Sequence, residues 1–335
     1  MKKKYIAISS ALVTLLFISL IWQIAELKIY ETVDAISVRI LGRSINTSIV
    51  LDEEGIPMQF YSKNEAYYNP LFVARAAQEA NLQRKLTGED ADFIKLTDWL
   101  LENLSETDST ALAIYDFAVP EYGQKAPWSS ALAQSVVMLV LAERAAYQRD
   151  LEVYATASRT LYSLRPNAAG LSHAISDSSY WYMEYPAEKP YYVLNGMLSV
   201  LLNLHKYHEL THDPLALDLY EKGLNAVRQK LPEFDYHGYS YYDLAGNKAG
   251  RNYHQHHIKS LNKILSLEND PTLRLYRDRW QRSDGHPVIW QMMLNPRPLR
   301  ILAFSLSFLA VWLIIYLLLT APQRKEPDEK EHSSS

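Results

Sequence analysis

The chain has 335 residues, with 34 lysines and arginines against 38 aspartates and glutamates and a formal net charge of −4. The two signs are interspersed, which excludes the broad positive surface of a nucleic-acid binder and leaves an acidic polymer to be met, if at all, by a locally basic groove. There is no cysteine, so disulfides, a thiol nucleophile and thiolate-ligated zinc are excluded, and a domain of this size must stand on its hydrophobic core.

Three lysines follow Met1, and residues 5–25 then carry no charge. At 1.5 Å per helical residue that run crosses roughly 30 Å of hydrocarbon. Residues 1–25 are read as an uncleaved transmembrane anchor, because a secretory signal has a shorter apolar region and no small-x-small site precedes Glu26. The lysines place the N-terminus in the cytoplasm. Residues 26–68 alternate loosely, from Lys28 to Val33 and from Ser48 to Asp52, with a turn signal at Glu54-Gly55-Ile56-Pro57. That pattern predicts a short β element of two or three strands.

Residues 69–298 change to helical spacing. Asn69-Pro70 and Asp270-Pro271 are helix starts, each with a capping side chain and proline at the first helical position. Apolar stripes run through Leu132, Val136, Leu139 and Val140, through Leu217, Tyr220, Leu224, Val227 and Leu231, and through Leu273, Tyr276 and Trp280. The segment Tyr192 to Leu210 is apolar over so wide an arc that it should be an inner helix. A glycine inside it, Gly196 after Asn195, signals close approach of something to the helix. About eight helices in pairs, mainly α, fit an α/α toroid, an incomplete α/α barrel. No fixed repeat period marks a solenoid.

Residues 299–320 form a second apolar run, with Arg300 near its start and Arg324-Lys325 beyond its end. Two flanking transmembrane helices put both chain ends in the cytoplasm and the helical domain on the periplasmic or extracytoplasmic side of the inner (cytoplasmic) membrane. Residues 321–335, rich in Lys, Glu and Ser, read as a disordered cytoplasmic tail.

The candidate segments for chemistry are loops rich in tyrosine: the chain has 24 tyrosines against 8 phenylalanines. Glu184-Tyr185-Pro186, Tyr192-Val193-Leu194-Asn195-Gly196, Tyr242-Asp243-Leu244 and the run from Tyr253 to Ile258 stand in the same order as in a known family. With Trp128 to Gln134, Leu224 to Leu231 and Asp270 to Trp280, they make residues 120–283 resemble the D-glucuronyl C5-epimerases, which invert a uronic acid inside a polysaccharide. The resemblance implies an α/α toroid, no cofactor and an acidic, uronate-containing polysaccharide as partner. It implies catalytic roles for Glu184, Tyr185, Tyr242 and Tyr253. A substantial β domain usually precedes the helical one in that family, and only about forty residues are available for it here, so a partner could supply part of the cleft, either a second copy or the polysaccharide-export machinery.

Inversion at C5 removes a hydrogen α to a carboxylate and returns a proton to the opposite face. Two proton-transfer groups must flank the ring, and a cation or hydrogen-bond donor must stabilise the carboxylate as charge flows onto it. A phenol is a poor base at neutral pH, so one tyrosine is expected to have its pKa lowered by a neighbour, or Glu184 to act directly. Asn195, Trp128, Gln134, His254 and His257 are candidate substrate-binding residues. The two histidines share a helix face, but no carboxylate joins them, so they are assigned to substrate and not to a metal. In the family an arginine follows Tyr-Asp-Leu to hold the carboxylate. Here that position is Ala245, and Arg251, Lys248 or a neighbouring histidine is expected to compensate. Two other readings remain open: a polysaccharide lyase that takes the same C5 proton, and a non-catalytic glycan-binding component of polysaccharide assembly.

Overall fold

The computed structural model describes residues 2–41, 49–60 and 65–321. The tail from Pro322 to Ser335 lies outside the described residues. The chain forms two compact units, residues 1–33 with 286–335, and residues 34–285.

The first unit contains most of α1 (Lys2–Leu41), the short α10 (Val288–Leu294) and α11 (Pro298–Thr320). Within these helices Lys4–Trp22 and Arg300–Thr320 are long and apolar enough to cross a membrane. Ile18, Trp22, Val288, Met292 and Phe304 pack together, with the Trp22 and Phe304 rings edge to face at 5.2 Å. The Trp312 indole N–H donates to Ser10 Oγ at 3.1 Å. At the start of α11 the buried Arg300 guanidinium donates to both carboxylate oxygens of Glu26, at 2.8 and 3.0 Å, and to Gln291 Oε1 at 3.0 Å. Such a pair is tolerated away from water because charge and hydrogen-bonding capacity are both met.

One expectation is corrected at the boundary of the first span. Residues 27–41 are helix, not strand. A helix already nucleated adds further residues cheaply, and the loose alternation in this stretch does not exclude helical spacing. The β element is confined to a three-stranded antiparallel sheet, β1 (Ile49–Leu51), β2 (Pro57–Phe60) and β3 (Ala66–Tyr68).

The second unit then alternates helix pairs with β-hairpins. Helices α2 (Pro70–Thr87) and α3 (Ala91–Glu102) precede the hairpin β4–β5 (Leu104–Glu106, Ala111–Ala113). Helices α4 (Ala131–Gln148) and α5 (Leu151–Tyr162) precede β6–β7 (Ser172–Ser176, Ser179–Tyr182). Helices α6 (Leu194–Thr211) and α7 (Pro214–Lys230) precede β8–β9 (Asp235–Tyr236, Tyr239–Ser240), and α8 (Arg251–Leu267) and α9 (Pro271–Asp284) end the unit. Helices α2, α4, α6 and α8 pack side by side as an inner row, and each is backed by its successor α3, α5, α7 or α9. This is an incomplete α/α toroid.

The sequence explains the two layers. In α4 nearly every side chain from Ala131 to Ala142 is buried, and α6 buries Leu194, Met197, Leu198, Val200, Leu201 and Leu204, so both can be covered on two sides. Helices α7 and α9 bury one stripe each, ending in Val227 and Trp280 respectively. The proposed caps form: Asn69 accepts from the Leu71 and Phe72 N–H groups, and Asp270 accepts from Leu273 N–H.

Candidate active site

Each β-hairpin returns the chain to the N-terminal end of the next inner helix, so the tyrosine-rich loops converge there. Trp181 and Tyr182 of β7 are wholly buried, and the Tyr182 hydroxyl donates to Leu219 O at 2.6 Å. Met183 donates its N–H to Leu171 O and accepts from Ala131 N–H at the start of α4. Glu184 therefore emerges from backbone that is held on both sides.

The loop before α8 is fixed in the same way. Tyr242 O accepts from Leu194 N–H, and Leu244 N–H donates to Tyr191 O, which ties the loop to the start of α6. Asp243 is fully buried and accepts from Ala245 N–H, Asn247 N–H, the Asn247 amide and the Tyr122 hydroxyl. Its role is to hold the loop that carries Tyr242. The Tyr242 ring meets Tyr253 of α8 edge to face at 4.8 Å.

Glu184, Tyr185, Asn195, Tyr253 and Trp128 line a chamber of about 310 Å³ together with Arg75 of α2. A chamber at the small end of ligand-pocket volumes has room for a single sugar ring. Arg75, Asn195 and Tyr253 also border a groove of about 1030 Å³ along the concave side of the inner row. Chamber and groove share one wall, so an extended chain lying in the groove would reach the chamber.

Burial pushes the Glu184 carboxyl up to about 7, although hydrogen bonding from Tyr185 and Tyr242 and the Arg75 charge oppose the rise. Its Oε2 is sealed from solvent and has no hydrogen-bond partner. The phenols move the other way from expectation. Burial, then the charge of Glu184, holds Tyr185 and Tyr242 far above the ordinary tyrosine value, and the same two causes raise Tyr253. None is lowered, so the tyrosines are protonated donors at neutral pH and Glu184 is the group able to accept a proton.

Several proposed substrate contacts lie elsewhere. Gln134 is completely buried, accepts from Ala113 N–H at 2.7 Å and donates to Ala111 O and Ser163 Oγ, so it braces β5 against α5. His254 and His257 share a face as expected, but it is the core face. Ser240 Oγ bridges them at 2.9 and 2.7 Å, and burial lowers both pKa values. The Arg251 Nε is 3.8 Å from Asp284, and the Lys248 ammonium lies 3.9 Å from the centre of the Tyr236 ring. Neither lines the chamber. Two contributors were not anticipated, Tyr122 and Arg75. Tyr122 stacks on Tyr185 at 4.0 Å, and Arg75 reaches both cavities; of the neighbouring histidines it is His256, on the side of α8 opposite His254, that faces the groove. Arg75 could have been flagged from its place in the second turn of a proline-capped inner helix.

Comparison with known proteins places this geometry. The chain is 28% identical over 172 residues to an uncharacterized protein of Methanocaldococcus jannaschii, covering 50% of this chain and 56% of that protein. It is 28% identical over 210 residues to a D-glucuronyl C5-epimerase of Caenorhabditis elegans, covering 56% of this chain and 34% of that enzyme. The chain thus spans about half of one relative and a third of the other. Among solved structures, a GH76 alpha-mannanase of Bacteroides thetaiotaomicron superposes with a TM-score of 0.46 at 11% identity, over 80% of this chain and 72% of the other. The sequence profile of the D-glucuronyl C5-epimerase C-terminus matches residues 107–282, which include Trp128, Glu184, Tyr185, Asn195, Tyr242 and Tyr253. With more than half of its length matched, and the matched loops meeting in one chamber, the chain belongs to the D-glucuronyl C5-epimerase C-terminus family.

Proposed function

We propose that this protein is a membrane-anchored uronyl C5-epimerase that inverts D-glucuronate-type residues in an exported polysaccharide. The observation that carries the reading is Glu184: a carboxyl with a pKa of about 7, beside tyrosine hydroxyls, in a chamber with room for one ring. A general base works best when its pKa lies near the working pH.

Ionised Glu184 takes the C5 hydrogen as a proton, and the C–H electron pair moves into the carboxylate to give an enediolate. The Tyr253 hydroxyl, carried by a different element, returns a proton to the opposite face. A phenol with a raised pKa still donates readily to a carbanion, which is far more basic. The resulting phenolate regains a proton from solvent in the groove, where Tyr253 is exposed, and Glu184 gives up its proton to solvent once the product leaves the chamber, so both groups exchange with the medium between turnovers. The cycle closes with no net oxidation and no cofactor.

Membrane attachment is supported by α11, where Leu306, Leu309, Leu313 and Leu317 are exposed and would face lipid. Lysines 2 to 4 favour a cytoplasmic N-terminus, with the catalytic unit outside the inner membrane.

The test is proton NMR of glucuronate-containing polymers incubated in deuterated water with the full chain in detergent micelles. Deuterium at C5 with an inverted signal is the expected result. A product absorbing in the ultraviolet would instead mark elimination by a lyase, and binding without exchange would mark a glycan-binding component.

A further inference from the structure

The reaction places a second negative charge on a group that is already anionic, so a cation or hydrogen-bond donor must stand at the carboxylate, and of the two a cation offsets the added charge directly. The position after Leu244 carries Ala245, which has no charge to offer, and the cations near it are engaged or turned away. Arg251 lies against Asp284, Lys248 lies over Tyr236, Lys85, farther along the groove, pairs with Glu143 at 3.1 Å, and Lys206 lines the groove but not the chamber.

We propose that Arg75 of α2 is the carboxylate-binding residue of this enzyme, reaching the chamber from outside the family-matched segment and selecting a uronate over a neutral sugar at the reacting position. The inference rests on the epimerase reading above. Arg75 is exposed, makes no ion pair or hydrogen bond among the described residues, and lines both the chamber and the groove. Its charge acts on Glu184, Tyr253 and His256, so the guanidinium lies close to the proposed base, the proposed donor and the groove wall at once.

The helix beneath it is firmly held. Val73, Ala74 and Ala77 are wholly buried, and the capping Asn69 also donates from its side chain to Gln59 Oε1 at 3.0 Å. Arg75 is thus aimed by a rigid support while its head group remains unpaired. A guanidinium fork can bond both carboxylate oxygens in parallel, and those bonds strengthen as the C5–H electron pair moves onto the oxygens. An ammonium would keep the charge and lose the fork.

The experiment uses the full chain in detergent micelles as wild type, Arg75→Lys, Arg75→Gln and the double variant Arg75→Gln with Ala245→Arg. Binding of a glucuronate oligosaccharide and of its carboxyl-reduced counterpart is measured by calorimetry, and deuterium entry at C5 is measured in parallel. Arg75→Gln is expected to abolish the preference for the carboxylated ligand, weakening its binding between about 10- and 100-fold, with little change for the reduced ligand. Arg75→Lys should retain part of the preference, and Ala245→Arg should restore part of it. An unchanged preference in Arg75→Gln, or no preference in the wild type, overturns the proposal. If the preference depends on Arg75 but no deuterium enters any polymer, the assignment of Arg75 stands and the epimerase reading fails.

Discussion

Gly196 of α6 lies directly against the carboxylate of Glu184: a Cβ at position 196 would collide with Glu184 Oε2 and stand 3.2 Å from Glu184 Cβ and 3.4 Å from Cδ. The expected close approach to this glycine is made by the proposed base itself. Alanine favours a helix interior over glycine by about 1 kcal/mol, whereas overpacking costs about 1 to 3 kcal/mol. Gly196→Ala should therefore change thermal stability little while moving Glu184, and C5 exchange should fall at least about tenfold because positioning is lost. A melt alongside an isotope-exchange assay separates the two effects, and full activity in the variant would show that Glu184 need not sit there.

The raised pKa of Glu184 has a stability consequence of definite sign. Its folded value, about 7, exceeds the ordinary carboxyl value of 4.5, so the folded state holds the proton more tightly. Stability is thus lost as pH rises from about 4.5 to about 7. Glu184→Gln should be more stable than wild type at pH 8, by up to about 3 kcal/mol, and nearly equal to it at pH 4. Activity should fall by at least about 10²-fold. Denaturant titrations at the two pH values check this.

Activity should rise with pH through a single limb near 7, as Glu184 ionises. Because the neighbouring phenols are raised and not lowered, no falling limb is expected below about pH 10, the ordinary tyrosine value. A pH profile of kcat/KM tests both statements. A falling limb at pH 8 would assign an ionising phenol to the mechanism.

Asp243→Ala would remove the buried acceptor that four donors of a partly exposed loop share. A loss of about 1 to 3 kcal/mol is expected from the unsatisfied groups, together with reduced exchange because Tyr242 and Tyr122 lose their support. Asp243→Asn should keep more stability, since the side-chain carbonyl can still accept from the backbone.

Arg300→Ala would strand Glu26 without its buried partner, and removing one half of such a pair costs about 3 to 5 kcal/mol. The melting temperature of the full chain in detergent should fall, and the double variant Arg300→Met with Glu26→Leu should recover most of the loss.

Much of the architecture was legible in the sequence because it depends on local rules. Proline with a capping side chain started α2 and α9 where expected, and the breadth of the apolar arc identified α6 as an inner helix. Glu184, Tyr185, Asn195 and Tyr253 were legible because they stand in ordered segments shared with a family. The apolar residues Ile258, Leu261 and Ile264 continue the face of His254 and His257 and mark it as core, a signal that the polar histidines at its start obscured. His254 and His257 do share a face, but that face binds Ser240, and His256, one position away, turns to the groove. Gln134 similarly looked like a substrate contact because a buried amide and an exposed one have the same sequence signature.

The sequence alone determined the alternation of helix pairs and loops, the apolar segments at either end, the absence of thiol chemistry, and the carboxylate and phenols available for proton transfer. The tertiary structure decided which of those groups share a chamber and what charge state each takes there. Burial raises Glu184 and the tyrosines together because desolvation penalises every anion, and only packing sets how much water is removed. Packing also brings Arg75 to the site, from a helix more than a hundred residues upstream of Glu184, a separation that no local pattern can bridge.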